Sequence, residues 1–360
     1  MRYGSLRSGI EAASAAWEPL GWQPAWFAEI EPFPCAVLNH HWPHVPNYGD
    51  MTRLVGKILN GTVEAPDILV AGTPCQAFSV AGLRGSLDDE RGNLTLVLIR
   101  ILDAIDFIRA RNGQPPCILV WENVPGVLST KDNAFGCFLG GLAGEDMPLV
   151  PAGQRWTNAG YVLGHKRRIA WRIFDAQYFG VAQRRRRVFI VASAGSEDPA
   201  EILFERQGET GDFGAGAETR EDPATFIEGS FGTYQQSDIG GTVKRTGGAL
   251  SGGSETLIVV HGRQDPVSSM TAYALDRQGA GNTNVILPSA GKVRRLTPLE
   301  CERLQGFPDN YTRIAWKNKP SEQCPDTPRY MAIGNSMAVP VIRWIGKRIC
   351  RISKTQLPQS

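Results

Sequence analysis

The sequence predicts an α/β protein: a doubly wound parallel sheet, followed by a smaller, irregular, β-containing domain and a return to helix. Three observations carry this. In the first half, short β-branched apolar runs alternate with amphipathic stretches, the pattern of strand and helix in turn. From about 194 to 292 the composition shifts to Gly, Ser, Thr and Asp, as in "DIGGTVKRTGGALSGGSE". After 292 helical periodicity resumes.

Taken in order, a short N-terminal strand leads through "RSGIEAASAAW" (7–17) into a helix over 10–20. "PAWFAEI" (24–30) reads as the second strand and 32–41 as a helix. "DILVAG" (67–72), "CILVWENV" (117–124), "WRIFDA" (171–176) and "RVFIVAS" (187–193) follow as strands. Between the first two of these, 93–111 carries Leu94, Val97, Leu98, Ile101, Leu102, Ile105 and Ile108 at helical spacing. Within 194–292 only "TLIVVHG" (256–262) reads clearly as a strand, but nearly 100 residues is too long for a plain linker. "RRLTPLECERLQGF" then opens a helix, with Thr297 as its cap and Glu300 completing a capping box. A last helix covers about 337–350, and 351–360 reads as a flexible tail. The expected domains are therefore 1–193 with 293–350, and 194–292.

Composition narrows the function. The 360 residues are 42% hydrophobic and 21% charged, enough for a full core and against global disorder. A formal charge of +2 means that a nucleic-acid partner must be read from local patches. Seven cysteines, odd in number and without a C-x-x-C pair, indicate neither a disulfide framework nor a zinc ribbon. They suit a reducing compartment. No apolar run reaches the ~18 residues of a membrane span, and no signal-peptide core is visible. The expectation is a soluble cytoplasmic protein. His40, His41 and His44 lack a fourth ligand nearby and read as a wet helix end, not a metal site.

The chemistry gathers at strand ends. Cys75, between Pro74 and Gln76, stands where the third strand breaks at Gly72. A cysteine there is either a small apolar filler or a nucleophile, and the ends of parallel strands are where open α/β sheets work on ligands. Glu122 ends a neighbouring apolar run, where a carboxylate suits proton or hydrogen-bond donation to a substrate. Glu29 follows the first turn by about twenty residues, the place for an acid that accepts from ribose hydroxyls. Asp50 could accept from a base amino group. Between His165 and Arg187 lie eight Lys or Arg against one acid, Asp175, with interleaved aromatics that make phosphate contact plausible.

These residues carry a resemblance. "GTPCQAFSVAG", "ENVPGVLS", "AQRRRRVFIVA", "RRLTPLECERLQGFP" and "IGNSMAVP" are similar, in order, to the motifs of DNA cytosine-5 methyltransferases of the bacterial and phage type. The similarity spans about 3 to 345. It implies a Rossmann-like fold dependent on S-adenosylmethionine, with 194–292 as target recognition domain. It implies Cys75 as nucleophile adding to C6 of a flipped-out cytosine, Glu122 holding the ring, and Arg185 orienting that acid. Cofactor contacts would fall on Ser8, Gly9, Ile10, Glu29, Ile30, Asp50, Met51, Pro74, Asn335 and Ser336. Double-stranded DNA would meet Gln76, Ser79, Gln183 and Arg187, with Lys244, Arg245, Arg263 and Arg277 as candidates for target readout. The partners implied are DNA, with no metal and no membrane, for a monomer in a restriction-modification or phage setting.

Two departures stand out. In the first motif Arg7 takes the place of an aromatic that would pack on the cofactor adenine and Glu11 that of a common glycine, and Met331, ahead of "AIGNS", stands where relatives often carry a polar residue. Against a tRNA-cytosine methyltransferase stands the large variable domain. Intact Cys75, Glu122 and Arg185 argue against a catalytically dead DNA-binding module. An NAD-dependent oxidoreductase leaves the Pro-Cys-Gln and Gln-x-Arg-x-Arg motifs unexplained. An amino-group methyltransferase would want Asp/Asn-Pro-Pro-aromatic where "TPCQ" stands.

Overall fold

The computed structural model describes residues 1–75, 93–205, 225–230, 233–237, 255–261 and 291–355. Strand β1 (Arg2–Leu6) opens the chain, then α1 (Ala12–Trp17), β2 (Gln23–Ala28), α2 (Pro32–His41) and α3 (Leu54–Leu59). Next come β3 (Ile68–Ala71), α4 (Leu94–Arg111), β4 (Ile118–Asn123), α5 (Ala134–Ala143), β5 (Ala159–Leu163), β6 (Arg168–Asp175), β7 (Arg186–Ser193) and α6 (Pro199–Leu203). Strands β8 (Thr225–Ser230), β9 (Thr233–Ser237), β10 (Glu255–His261) and β11 (Gly291–Arg295) precede α7 (Pro298–Gln305), α8 (Asp326–Asn335) and α9 (Val339–Thr355).

Seven strands form one sheet in the order β2-β1-β3-β4-β7-β6-β5. The first four are parallel, whereas β4 with β7, and β5 with β6, are antiparallel. The sheet is mixed, not wholly parallel. Residues 164–167 join β5 to β6 as a short hairpin, and such a link can only reverse direction. The second sheet, β11-β10-β8-β9, is antiparallel throughout, and β10 takes in 256–261 of the strand anticipated at 256–262, residue 262 lying outside the described residues. Helix α7 carries the full capping box of Thr297 and Glu300.

The chain divides into two compact units. One is Met1–Phe174, Arg186–Gly211 and Val341–Ser360; the other is Asp175–Arg185 and Asp212–Pro340. The return to the first unit falls at Val341.

Within the first unit the core lies where α4 and α5 cover the sheet. Leu98, Ile101, Leu102 and Ile105 of α4 meet Leu69, Leu119 and Trp121, with Phe135, Phe138 and Leu142 of α5 beside them. A charged tie fastens the same helix. Arg167, wholly buried, pairs with Asp103 and Asp106, and Arg109 with Asp67. Across the sheet's other flank, α9 grips α1. Trp17 Nε1 donates to the Ile342 carbonyl (2.9 Å), Arg343 to that of Ala15 (3.2 Å), and Trp22 Nε1 to Cys350 Sγ (3.2 Å).

The two first-motif departures share one backbone conformation. Arg7 (φ 51°) and Glu11 (φ 62°) are both in the left-handed region, which glycine enters without cost. Glu11 recovers part of that strain as the N-cap of α1, its carboxylate accepting from Ser14 N (3.1 Å) and Ser14 Oγ (2.6 Å). Burial pushes its carboxyl up to about 7, against the lowering effect of Ser14 and Ser5. The folded protein then keeps a proton that the unfolded chain releases above its ordinary 4.5. Stability is therefore lost as pH rises from 4.5 to about 7, by roughly 3 kcal/mol. Glu11→Gln should abolish that slope. In urea unfolding, the variant should gain roughly 3 kcal/mol on the wild type between pH 5 and pH 8. Parallel curves would show that Glu11 titrates normally.

Candidate active site

The strand order reverses between β1 and β3, since the chain runs outward to β2 on one side and to β3 on the other. Ligands of open α/β sheets bind in the crevice outside the strand ends at such a point. Around it stand the Arg7–Glu11 turn after β1, Glu29 and Ile30 after β2, Thr73–Cys75 after β3, and Glu122 near the end of β4.

Glu29 is held at the end of β2 by backbone amides. Its Oε2 accepts from Gly9 N (2.7 Å), and its Oε1 from Ile30 N and Glu31 N (2.8 Å each). A carboxylate has about four lone-pair sites, so three amides leave roughly one for a ligand hydroxyl. Ser8 ties the turn to β2, accepting from Ala28 N (3.2 Å) while donating to the Ser5 carbonyl (3.0 Å). Asp50 is exposed and caps the following turn through Thr52 N (2.9 Å). Ile30 is 69% exposed and Pro74 is exposed as well. Ile10 and Met51 bury their side chains in the core, so only their backbone can line a site. A Cβ built on Gly9 would meet nothing within 4 Å, which leaves open space over the turn. An apolar side chain for a base face, a carboxylate with a spare lone pair and an open glycine turn fit S-adenosylmethionine.

Asn335 and Ser336, anticipated at the same cofactor, belong to the second unit. Asn335 is exposed at the end of α8, whereas Ser336 is buried with its carbonyl engaged.

Cys75 and Glu122 rest on paired strands. Ala71 of β3 lies in register with Trp121 of β4, so Cys75 and Glu122 leave the sheet at the same edge. Thr73 Oγ1 accepts from Trp121 Nε1 (3.0 Å), and the Thr73 carbonyl from Asn123 Nδ2 (3.0 Å). Burial pushes the Cys75 thiol up to about 12, with Cys137 and Asp132 acting in the same sense. The resting sulfur is a thiol.

The basic run does not form one phosphate-binding surface. Arg187 Nε lies 3.2 Å from Glu122 Oε1, both side chains mostly buried. Arg185, anticipated beside that acid, is buried in the second unit and donates to the carbonyls of Gly334 (3.1 Å) and Ser336. The chain path places Arg187 at Glu122, since it lies within β7, where Glu122 pairs with Phe189. Arg167 is spent on α4, and Arg172 donates to the Leu203 carbonyl (3.0 Å). Gln183, anticipated on DNA, is wholly enclosed, and Arg184 and Arg186 are the exposed members of the motif. Gln76, Ser79, Lys244, Arg245, Arg263 and Arg277 lie outside the described residues.

Among the described residues no group of three or more His, Cys, Asp or Glu is placed to hold a metal ion. No helix among them is long and apolar enough to cross a membrane.

Comparison with known proteins identifies the family. The chain is 42% identical to the DNA N-6-adenine-methyltransferase of Escherichia phage P1, over 97% of its own length and 61% of that protein's. It thus spans less than two thirds of that relative. It is 26% identical to the type II methyltransferase M2.BsuMI of Bacillus subtilis, over 97% of this chain and 75% of that one. In fold it resembles the Dnmt2 methyltransferase of S. pombe, at a TM-score of 0.57 with 16% identity over 99% of both chains. A Spodoptera frugiperda DNMT2 structure matches at a TM-score of 0.59, with 19% identity, over 97% of this chain and 99% of that one. The model of the C-5 cytosine-specific DNA methylase family matches residues 1–351, nearly the whole chain. The chain therefore belongs to that family of S-adenosylmethionine-dependent DNA methyltransferases.

Proposed function

We propose that this chain methylates C5 of a cytosine flipped out of duplex DNA, through a bond between Cys75 Sγ and C6 of the ring. The observation that carries the reading is the register of β3 with β4, which brings Cys75 and the Glu122–Arg187 pair to one edge of the sheet. Addition of the sulfur to C6 pushes ring electrons toward C5, which is otherwise a poor nucleophile. Glu122 holds the ring at N3 and its exocyclic amine, and Arg187 holds Glu122. S-adenosylmethionine, when bound, supplies the electrophilic methyl group. Loss of the C5 proton and expulsion of Cys75 then restore the aromatic ring. The thiol must reach the flat face of C6, which is blocked in a stacked duplex, so the base leaves the helix.

Nucleoside mass spectrometry of host DNA after expression tests the chemistry, and bisulfite sequencing then reads the target. The expected product is 5-methylcytosine. N6-methyladenine alone would overturn the reading and align the chain with the activity for which the phage P1 relative is named. Residues 73–76, Thr-Pro-Cys-Gln, are not an amino-group motif, which favours cytosine C5.

Glu29 and Asp50 serve the cofactor in this reading. Glu29→Ala and Asp50→Ala should each weaken S-adenosylmethionine binding by about 1–3 kcal/mol in calorimetric titration. Glu29→Ala should cost more, because it also releases the Gly9 turn. Unchanged affinity in both variants would misplace the cofactor site.

Residues 194–292 serve target choice. Polar loops on a rigid scaffold read base edges adaptably, and Lys244, Arg245, Arg263 and Arg277 are the candidates. Exchange of this segment for that of a relative with another target should move the bisulfite pattern. A folded, active chimera with the original pattern would place target choice elsewhere. The absence of cysteine pairing suits work in the cytoplasm of a prokaryotic cell or an infected host.

A further inference from the structure

We propose that Trp121 is a positioning residue for Cys75, acting through Thr73 Oγ1 on the turn that precedes it. The inference rests on Cys75 as the reactive sulfur and adds the frame that aims it.

Three side chains from two elements each take one atom of the short turn. Trp121 Nε1 donates to Thr73 Oγ1 (3.0 Å), Asn123 Nδ2 to the Thr73 carbonyl (3.0 Å), and Thr95 Oγ1 to the Pro74 carbonyl (3.1 Å). Thr73, Thr95 and Trp121 are all buried. The two carbonyls belong to the peptide planes on either side of Pro74, whose ring already fixes its own φ. With both planes fastened and the ring between them rigid, the Cα of Cys75 has one place to be. Trp121 and Asn123 also flank Glu122 and share the strand face opposite to it. Nucleophile and acid are thereby referred to the same short piece of β4. Thr95 enters from α4, whose N-terminus Asn93 caps through Thr95 N (3.1 Å) and Leu96 N (3.2 Å).

Thr73→Val keeps the shape of the side chain and removes the acceptor for Trp121, and Trp121→Phe removes the donor. Each should lower kcat by about ten- to a hundred-fold, the cost of displacing a reacting group by up to an ångström. KM for DNA and cofactor should stay within about two-fold, because neither is touched by the pair. The double variant should be no worse than the poorer single one, since both remove one interaction. Thr73→Ser keeps the hydroxyl and should rescue most of the rate.

A second readout needs no DNA. Alkylation of Cys75 by iodoacetamide at pH 8.5, followed peptide by peptide, should rise about three-fold or more in Thr73→Val as the sulfur leaves its buried setting. Cys117, fully buried in the core, should stay as slow as in the wild type. Wild-type rates for kcat and for Cys75 alkylation in both variants would overturn the proposal. So would Cys117 speeding up in step with Cys75, which would mean general loosening. A wild-type protein that formed no adduct with 5-fluorocytosine DNA would instead refute the proposed function, and the alkylation comparison would still decide the role of the frame.

Discussion

Cys75→Ala should abolish methyl transfer, lowering turnover by about 10⁴-fold or more, while the melting temperature stays close to that of the wild type. The asymmetry follows from where the residue sits. Cys75 is half-buried in a turn whose backbone is held through Thr73 and Pro74, so trimming its sulfur releases none of those ties. Folding stability should change by about 1 kcal/mol or less. Burial holds the thiol up at about 12, so the resting protein should resist iodoacetamide at Cys75 near pH 8. DNA carrying 5-fluorocytosine at the target should trap the wild type covalently, because fluorine cannot depart as a proton does. Substantial methylation by the alanine variant, or an untrapped wild type, would end the covalent mechanism.

The second large effect separates two arginines of one motif. Glu122→Gln should lower kcat by about 10²–10⁴-fold, the range for a lost acid–base partner. Arg187→Met should follow it in direction, because Arg187 is the cation 3.2 Å from Glu122 and both side chains are shielded from water. Arg185→Met should behave differently. It deprives the Gly334 and Ser336 carbonyls of a buried donor, so its first symptom is a lower melting temperature. Steady-state kinetics beside thermal melts of the two methionine variants make the comparison. A greater kcat loss in Arg185→Met than in Arg187→Met, at unchanged melting temperature, would return the catalytic cation to Arg185.

Much of this site was legible in the chain. Ile68–Ala71 and Ile118–Trp121 are apolar runs that stop at Gly72 and Glu122, so the strand ends bearing Cys75 and Glu122 declared themselves. Thr297 and Glu300 announced α7 by a local hydrogen-bond pattern. Strand direction was not legible, because an apolar run looks the same run either way, and β7 came out antiparallel to β4. Helix α5 escaped for a related reason. All ten of its residues are buried and three are glycine, so it has no polar face to set a period. The eight cations of 165–187 look alike on paper, yet burial sends Arg167 to α4, Arg185 to two carbonyls and Arg187 to Glu122. Those partners are distant in sequence, and spacing carries no trace of them.

The grip of α9 on α1 has a consequence for how the protein is made. The indole N–H of Trp17 and its acceptor on Ile342 are 325 positions apart. At ~5–20 residues per second, a ribosome needs on the order of 15–65 s to deliver the second after the first. Throughout that interval α1 has emerged without the helix that covers it, and Trp17 and Trp22 lack the surface they stack beneath. The nascent chain is then a client for holding chaperones, and a message cut before Val341 yields a sheet that stays sticky however long it waits.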